Sequence, residues 1–173
     1  MKLNKSLFGL AFFLTIGVIN GCKENTENKT VSTKEPDLIG IYNFDNKQEL
    51  ADYNELNLDE NHPNLLNPQI SKSDYNSVIK SWTDLHQKIG IYLSKNNFTW
   101  DVNDNTISIF QKIYFEPNGQ IKHYFFNVLN QNITNEKKEQ FASLISEFAK
   151  THKIDFQLDN NFAQCGKTKY LNE

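Results

Sequence analysis

Cys165, in Phe162-Ala163-Gln164-Cys165-Gly166, is the side chain best suited to covalent chemistry in this sequence. A thiol becomes a nucleophile when a nearby base or positive dipole lowers its pKa. His123 and His152, both upstream, are the imidazoles available for such a pair, which would make a small thiol-dependent hydrolase. No His follows Cys165, so an order of nucleophile then base along the chain is excluded. The structural alternative is a small buried residue beside a Gly turn. The four histidines, His62, His86, His123 and His152, are scattered, and no two stand three or four residues apart. No helix therefore offers two imidazoles to a metal. Asp101-Val102-Asn103-Asp104-Asn105 opens like a calcium loop, but Thr106 stands where the loop needs Gly and Lys112 where it needs Glu. It reads as a turn between strands. Trp100, Tyr114 and Tyr124, with Phe126, would stack on a sugar if one sheet face stayed open; their alternative is the core. The domain's glycines, Gly40, Gly90, Gly119 and Gly166, are isolated, so no phosphate-cradling loop is present, and no Ser lies in a G-x-S-x-G context. No metal site and no cofactor is read from these residues.

The elements that would position these groups are marked by periodicity. Leu38 to Phe44 reads as a short strand. Asp45, Glu49, Asp52, Glu55, Asp59 and Glu60 against Lys47 read as a solvated acidic face or loop, with weak divalent-cation binding as the functional alternative. The segment from His62-Pro63 to Pro68 is rich in breakers. Val78, Trp82, Leu85, Ile89 and Tyr92 recur at steps of three and four and predict a helix over about 73–95 capped by Ser73. Phe98 to Val102 reads as a strand. Ile107, Ile109, Ile113 and Phe115 alternate along the next strand, with Phe110 and Tyr114 on its other face. Glu116-Pro117-Asn118-Gly119 is a hairpin turn, because Pro fixes φ and Asn-Gly tolerates positive φ. The return strand is Gln120 to Leu129. Thr134 caps a second helix over 135–151 with Phe141, Leu144, Ile145 and Phe148 as its core stripe. Ile154 to Leu158 and Lys167 to Leu171 read as short closing strands. The expected class is α+β, with a mainly antiparallel sheet and two amphipathic helices.

The first 22 residues have a different logic. Lys2 and Lys5 precede an apolar run from Leu7 to Ile19, shorter than the roughly 20 residues a spanning helix needs. Ile19-Asn20-Gly21-Cys22 follows. This resembles the lipobox of bacterial lipoproteins: an aliphatic residue at −3, a small residue at −1, then Cys. The resemblance implies that residues 1–21 are a signal peptide and that Cys22 becomes the lipidated N-terminus. Lys23 in place of Asp implies, by the same analogy, delivery to the outer membrane. Two or three acyl chains would hold a protein on a membrane stably, where one binds only marginally. Residues 22–37 contain a single aliphatic residue, Val31, and read as a flexible tether with a reach of about 20–24 Å.

From Ile107 to Leu158 the strand, Asn-Gly turn, strand, helix, strand order resembles, at the level of topology, the C-terminal domain of TonB-type energy transducers. It lends no residue roles.

The chain has 173 residues, a net charge of −3 and 13 % aromatics. All 18 of its basic residues are Lys. That suits one folded domain over 38–173 and argues against a nucleic-acid partner, since the Arg-rich phosphate footprint is missing. Once Cys22 is acylated, Cys165 is the only other Cys and can form no internal disulfide. The sequence thus implies an envelope protein attached to the membrane through a lipid anchor. Its domain would be non-catalytic and bind a protein or polymer partner, with the thiol hydrolase and a glycan-binding module as alternatives.

Overall fold

A computed structural model describes residues 38–172. The expected signal peptide over 1–21, the expected lipidation site Cys22 and the expected tether over 22–37 lie outside the described residues. Four strands form one sheet: β1 (Gly40–Asn43), β2 (Thr106–Phe115), β3 (Ile121–Val128) and β4 (Phe162–Leu171), in the order β1-β3-β2-β4. β2 pairs antiparallel with both β3 and β4, and β1 pairs parallel with β3. The architecture is α+β with a mostly antiparallel sheet.

The helices are α1 (Lys47–Glu55), the single-turn α2 (Pro68–Ser71), α3 (Tyr75–Lys95) and α4 (Asn135–Thr151). α4 begins where its cap predicts: the Thr134 hydroxyl accepts from the Lys137 backbone N–H at 3.3 Å. α3 starts two residues later than expected, and Ser73 sits in a 3-10 turn over Lys72–Asp74. α3 and α4 cover one sheet face. There Ile107, Ile109, Ile113 and Phe115 of β2 meet Val78, Leu85 and Ile89 of α3 and Phe141, Ile145 and Phe148 of α4 in one buried cluster. Burying each such side chain contributes about 1.5–3 kcal/mol.

Residues 45–60 form the expected solvated acidic face, most of their acidic side chains being exposed, and part of it is helical: Asn46 caps α1, and its Glu49 accepts from the Asn43 backbone and the Asn46 amide, both at 2.7 Å. α1 lies on the face of the sheet opposite α3 and α4, where Tyr53 stacks on Phe125 at 4.5 Å. Three local expectations are corrected. Phe98 to Val102 forms no strand. Asn97 and Asp101 take positive φ (53° and 54°) and break extension, so Phe98 and Trp100 enter the core from a loop. Ile154 to Leu158 also forms no strand. It runs along the hairpin turn, with the Ile154 N–H donating to Gly119 O at 3.0 Å and the Leu158 N–H to Pro117 O at 3.1 Å. A tight turn offers too few aligned groups to extend a ladder. The closing strand is β4, which begins five residues earlier than expected and places Cys165 mid-strand instead of beside a turn.

Gly119 closes the hairpin at φ +84°, with the Gly119 N–H donating to Glu116 O at 2.9 Å. A Cβ there would lie 2.6 Å from Ile154 O and 2.9 Å from Phe156 O. Gly119→Ala combines a left-handed backbone with a clash against backbone oxygens, and should lower stability by at least about 1 kcal/mol. Urea denaturation measures this. A variant as stable as the parent would contradict it.

Candidate functional site

The residues singled out for thiol chemistry are held apart. Cys165 pairs with Lys112 of β2, and His123 of β3 pairs with Tyr114 of β2. Their side chains share the α1 face of the sheet, but β2 runs between them, so two strand spacings of roughly 9–10 Å separate their backbones. His123 instead takes Tyr42 as its partner, with the Tyr42 hydroxyl 3.2 Å from Nδ1. His152 is on the helical face at the end of α4, stacked on Phe148 at 4.1 Å, with Nδ1 3.0 Å from Phe148 O. Cys165 makes no hydrogen bond to an imidazole among the described residues. Burial pushes its thiol above the ordinary value, the Lys112 ammonium pulls it down by less, and the Asp59 carboxylate pushes it further up. That is the reverse of what a nucleophile needs.

Around Tyr114 the α1 face holds a closed polar cluster. The Tyr114 hydroxyl donates to Asp59 Oδ1 at 2.9 Å and lies 2.5 Å from the Tyr53 hydroxyl, and Lys112 bridges Asp59 at 2.5 Å. This ties the 3-10 turn Leu58–Glu60 to the sheet. Hydrogen bonds from Lys112 and Tyr114 outweigh partial burial and hold the Asp59 carboxyl below its usual range. The cavity beside this cluster is small, about 160 Å³.

The aromatic platform does not form. Trp100 is 2 % exposed, and Tyr114 and Tyr124 are fully buried, so none presents a ring face to a sugar. Asp101 ion-pairs with Lys137 at 2.9 Å and accepts from the Thr99 hydroxyl at 2.6 Å. Among the described residues no group of three or more His, Cys, Asp or Glu is placed to hold a metal ion.

A larger concavity lies elsewhere. A groove of about 910 Å³ runs between α3 and β4. Its α3 wall is Trp82, His86, Gly90 and Ile91, its floor Leu93, Phe98 and Trp100, and its other wall the stretch 167–171 of β4. Gly90 widens it by having no side chain. Lys95, Lys167 and Lys169 are among its lining residues, though the register of β4 sets Lys167 and Lys169 on the sheet face shared by Cys165, and none of the three makes an ion pair with another described residue.

Behind this groove lies a buried polar chain that periodicity did not reveal. The Tyr124 hydroxyl donates to Gln111 Oε1, and the Tyr170 hydroxyl donates to the same oxygen at 3.3 Å. Nδ1 of His86 lies 2.5 Å from the Tyr170 hydroxyl oxygen. With the Tyr170 proton directed to Gln111, the imidazole donates from Nδ1 and Nε2 is left bare. Nε2 of His86 and Oγ1 of Thr168, both in residues of the groove walls, are buried without partners. A signal existed in the sequence: Gln111 falls at an inward position of β2, whose other inward residues, Ile107, Ile109, Ile113 and Phe115, are apolar.

No protein-family model matches this chain, no curated protein matches it, and no solved structure matches it. Among the described residues no helix is long and apolar enough to cross a membrane.

Two outcomes follow from these environments. Burial pushes the His86 imidazole down to about 3 from an ordinary 6.5. Below pH 6.5 the unfolded chain takes up a proton that the folded chain refuses until about pH 3. The stability His86 allows is therefore complete above pH 6.5 and falls as the pH drops through that window, by at most about 1.4 kcal/mol per pH unit. Urea midpoints from pH 7 to 4.5 should fall less steeply for His86→Gln; identical slopes would refute this origin. Cys165 should react with a disulfide reagent at pH 7.5 at least about tenfold more slowly than a small free thiol. Labelling at the small-thiol rate would show an activated thiol.

Proposed function

We propose that this protein is a lipid-anchored envelope protein of the outer membrane whose α+β domain is a binding module, with the groove between α3 and β4 as its binding site. The observation that carries the binding part is the groove itself. Its volume of about 910 Å³ falls in the range of ligand sites, about 300–1,000 Å³, and its lining sets apolar side chains such as Trp82, Ile91 and Phe98 beside polar ones such as His86, Gln87 and Thr168. The anchor rests on the sequence Ile19-Asn20-Gly21-Cys22 after a charged and then apolar leader, and the tether 22–37 would let the domain stand clear of the lipid surface.

Cys165 belongs to a different part of this reading. It lies on the sheet face away from the groove, without an imidazole partner and with its thiol pushed up, so it is assigned no role in binding.

The two parts are tested separately. Cys22→Ser should move the protein from the membrane fraction to the aqueous fraction; unchanged membrane retention would refute the anchor. For the groove, a photo-crosslinking residue is placed at Ile91 in the living cell, with the exposed Glu147 of α4 as control. Irradiation should yield a defined adduct from position 91 and none from position 147. No adduct from position 91, or the same adduct from both, would refute the groove as a binding site.

A further inference from the structure

Strand β4 meets the groove with its main-chain edge, because the side chains of Lys167 and Lys169 point to the other face of the sheet. Resting on the binding reading above, we propose that the occupant is an extended segment of a partner polypeptide. It adds to the outer edge of β4 as a fifth strand, with apolar side chains turned toward α3 and acidic ones beside Lys167 and Lys169.

The edge is open where the groove lies. The Ala163 N–H donates to Pro63 O at 3.0 Å, and the Leu65 N–H donates to Ala163 O at 2.8 Å. Both main-chain groups of Ala163 therefore face away from β2. An antiparallel ladder alternates, so those of Cys165, Lys167 and Lys169 face the same way. The Cys165 N–H follows this rule and donates to Asn64 Oδ1 at 3.1 Å. Past Cys165 the chain's own cover stops. No described residue bonds the outward N–H and C=O of Lys167 or Lys169. Such a row of main-chain groups is what a strand-adding peptide uses, and the same edge already carries the bridge of Asn64 to Ala163.

The space beside the edge fits a strand's side chains. α3 and β4 run alongside each other: a Cβ on Gly166 would lie 3.3 Å from Trp82 Cζ2, and one on Gly90 would lie 3.7 Å from Tyr170 Cδ1. From Trp82 to Gly90 the helix rises about 12 Å, and from Gly166 to Tyr170 the strand rises about 13 Å. An added strand would thus stay beside the helix along this stretch. Thr83, Gln87 and Ile91, exposed and spaced as one helical stripe, line the groove above its path. Partner residues opposite Gly166, Thr168 and Tyr170 would point to this stripe. Ile91 is 56 % exposed, and covering it and the flank of Trp82 favours apolar side chains there.

The charge defines the other face. Lys167 and Lys169 lie across from Phe110 and Ser108 of β2, and neither has an ion-pair partner among the described residues. Directly opposed residues of neighbouring strands hold their Cβ atoms about 4.5–5.5 Å apart, where opposite charges attract and like charges repel. The residue opposite each Lys is therefore acidic. The same cations argue against a second copy of this chain. A ladder of β4 on β4 centred at Thr168 would set Lys167 against Lys169, and charged edges of this kind discourage self-pairing.

The test uses the chain from residue 22 onward carrying Cys22→Ser, with two end-capped heptapeptides, TIEVEIT and TIKVKIT. Amide hydrogen exchange is read residue by residue by NMR. In the free protein the N–H groups of Lys167 and Lys169 should exchange fast. Saturating TIEVEIT should slow both at least about tenfold, the signature of main-chain pairing. TIKVKIT should bind at least about fivefold more weakly. Lys167→Glu with Lys169→Glu should reverse that preference, which a damaged fold would not do. Gly90→Leu should abolish binding, since a Cβ there meets only Tyr170 Cδ1, at an ordinary 3.7 Å, and the longer side chain fills the trough. Each variant's urea midpoint is measured alongside, so that loss of binding is separated from loss of fold.

No saturable binding of TIEVEIT up to about 1 mM, unchanged exchange at Lys167 and Lys169, or no reversal of preference would each overturn the proposal. So would protection of these amides before any peptide is added. Protection that rises with protein concentration would assign the edge to a second copy, and protection that does not would assign it to the chain's own residues 22–37. An adduct from Ile91 that carries no polypeptide, together with no peptide binding, would overturn this partner class while the binding module stands. Absence of both adduct and peptide binding would remove the groove as a site altogether.

Discussion

Strand β2 is the constraint on which the rest of the domain depends. It is hydrogen-bonded along both edges, to β3 and to β4, and so fixes which residues of three strands share a face. Its inward positions are apolar except for Gln111. The amide oxygen of Gln111 accepts from two donors, while its Nε2 is buried without a partner. Tyr124 comes from β3 and Tyr170 from β4, and Tyr170 reaches His86 on α3. One polar residue in the central strand thus links both neighbouring strands and the longest helix. A slip of one residue in either pairing would turn these groups to the opposite face. The polar chain therefore specifies register as well as filling space.

The two faces of the sheet take up titratable groups in different ways, and both ways quiet them. On the helical face, His86 is stripped of water and held neutral. On the α1 face, Tyr114, Asp59 and Lys112 satisfy one another, and the neighbouring Cys165 carries a raised pKa. Catalytic sites bring unlike pKa values together at one exposed point. Here the perturbed groups are distributed over opposite faces and engaged in holding the turn Leu58–Glu60, α1 and α3 to the sheet.

The groove follows from the same geometry. β4 is as long as β2, but the chain's own covering segment at 63–65 reaches only the beginning of its outer edge. α3 runs past that edge, and Gly90 leaves a gap where a larger residue would close it. An unfilled trough of this size exposes apolar surface to water, which a small domain with an otherwise close-packed core does not need for stability. Tyr170, which lines the groove and donates to Gln111, joins the architecture of the core to the binding reading.

The sequence by itself determined the local elements whose signals are short-range. The Asn118-Gly119 hairpin, the Thr134 cap, the stripes of α3 and α4 and the alternation of β2 each rest on contacts within a few residues, and all are present. The resemblance of Ile19-Asn20-Gly21-Cys22 to a lipobox is legible for the same reason, being carried by a run of adjacent residue types. What the tertiary structure decided was long-range. Phe98 to Val102 has the composition of a strand, but two residues at positive φ send its aromatics into the core. Cys165 and His123 are both in the sequence as a thiol and an imidazole, yet their separation is set by the order of strands, with β2 between them. The groove could not be read in advance, because its walls come from segments about 80 residues apart and its emptiness depends on what does not pack there. Periodicity tells which side of an element is apolar, whereas a site depends on which elements meet and where they fail to touch.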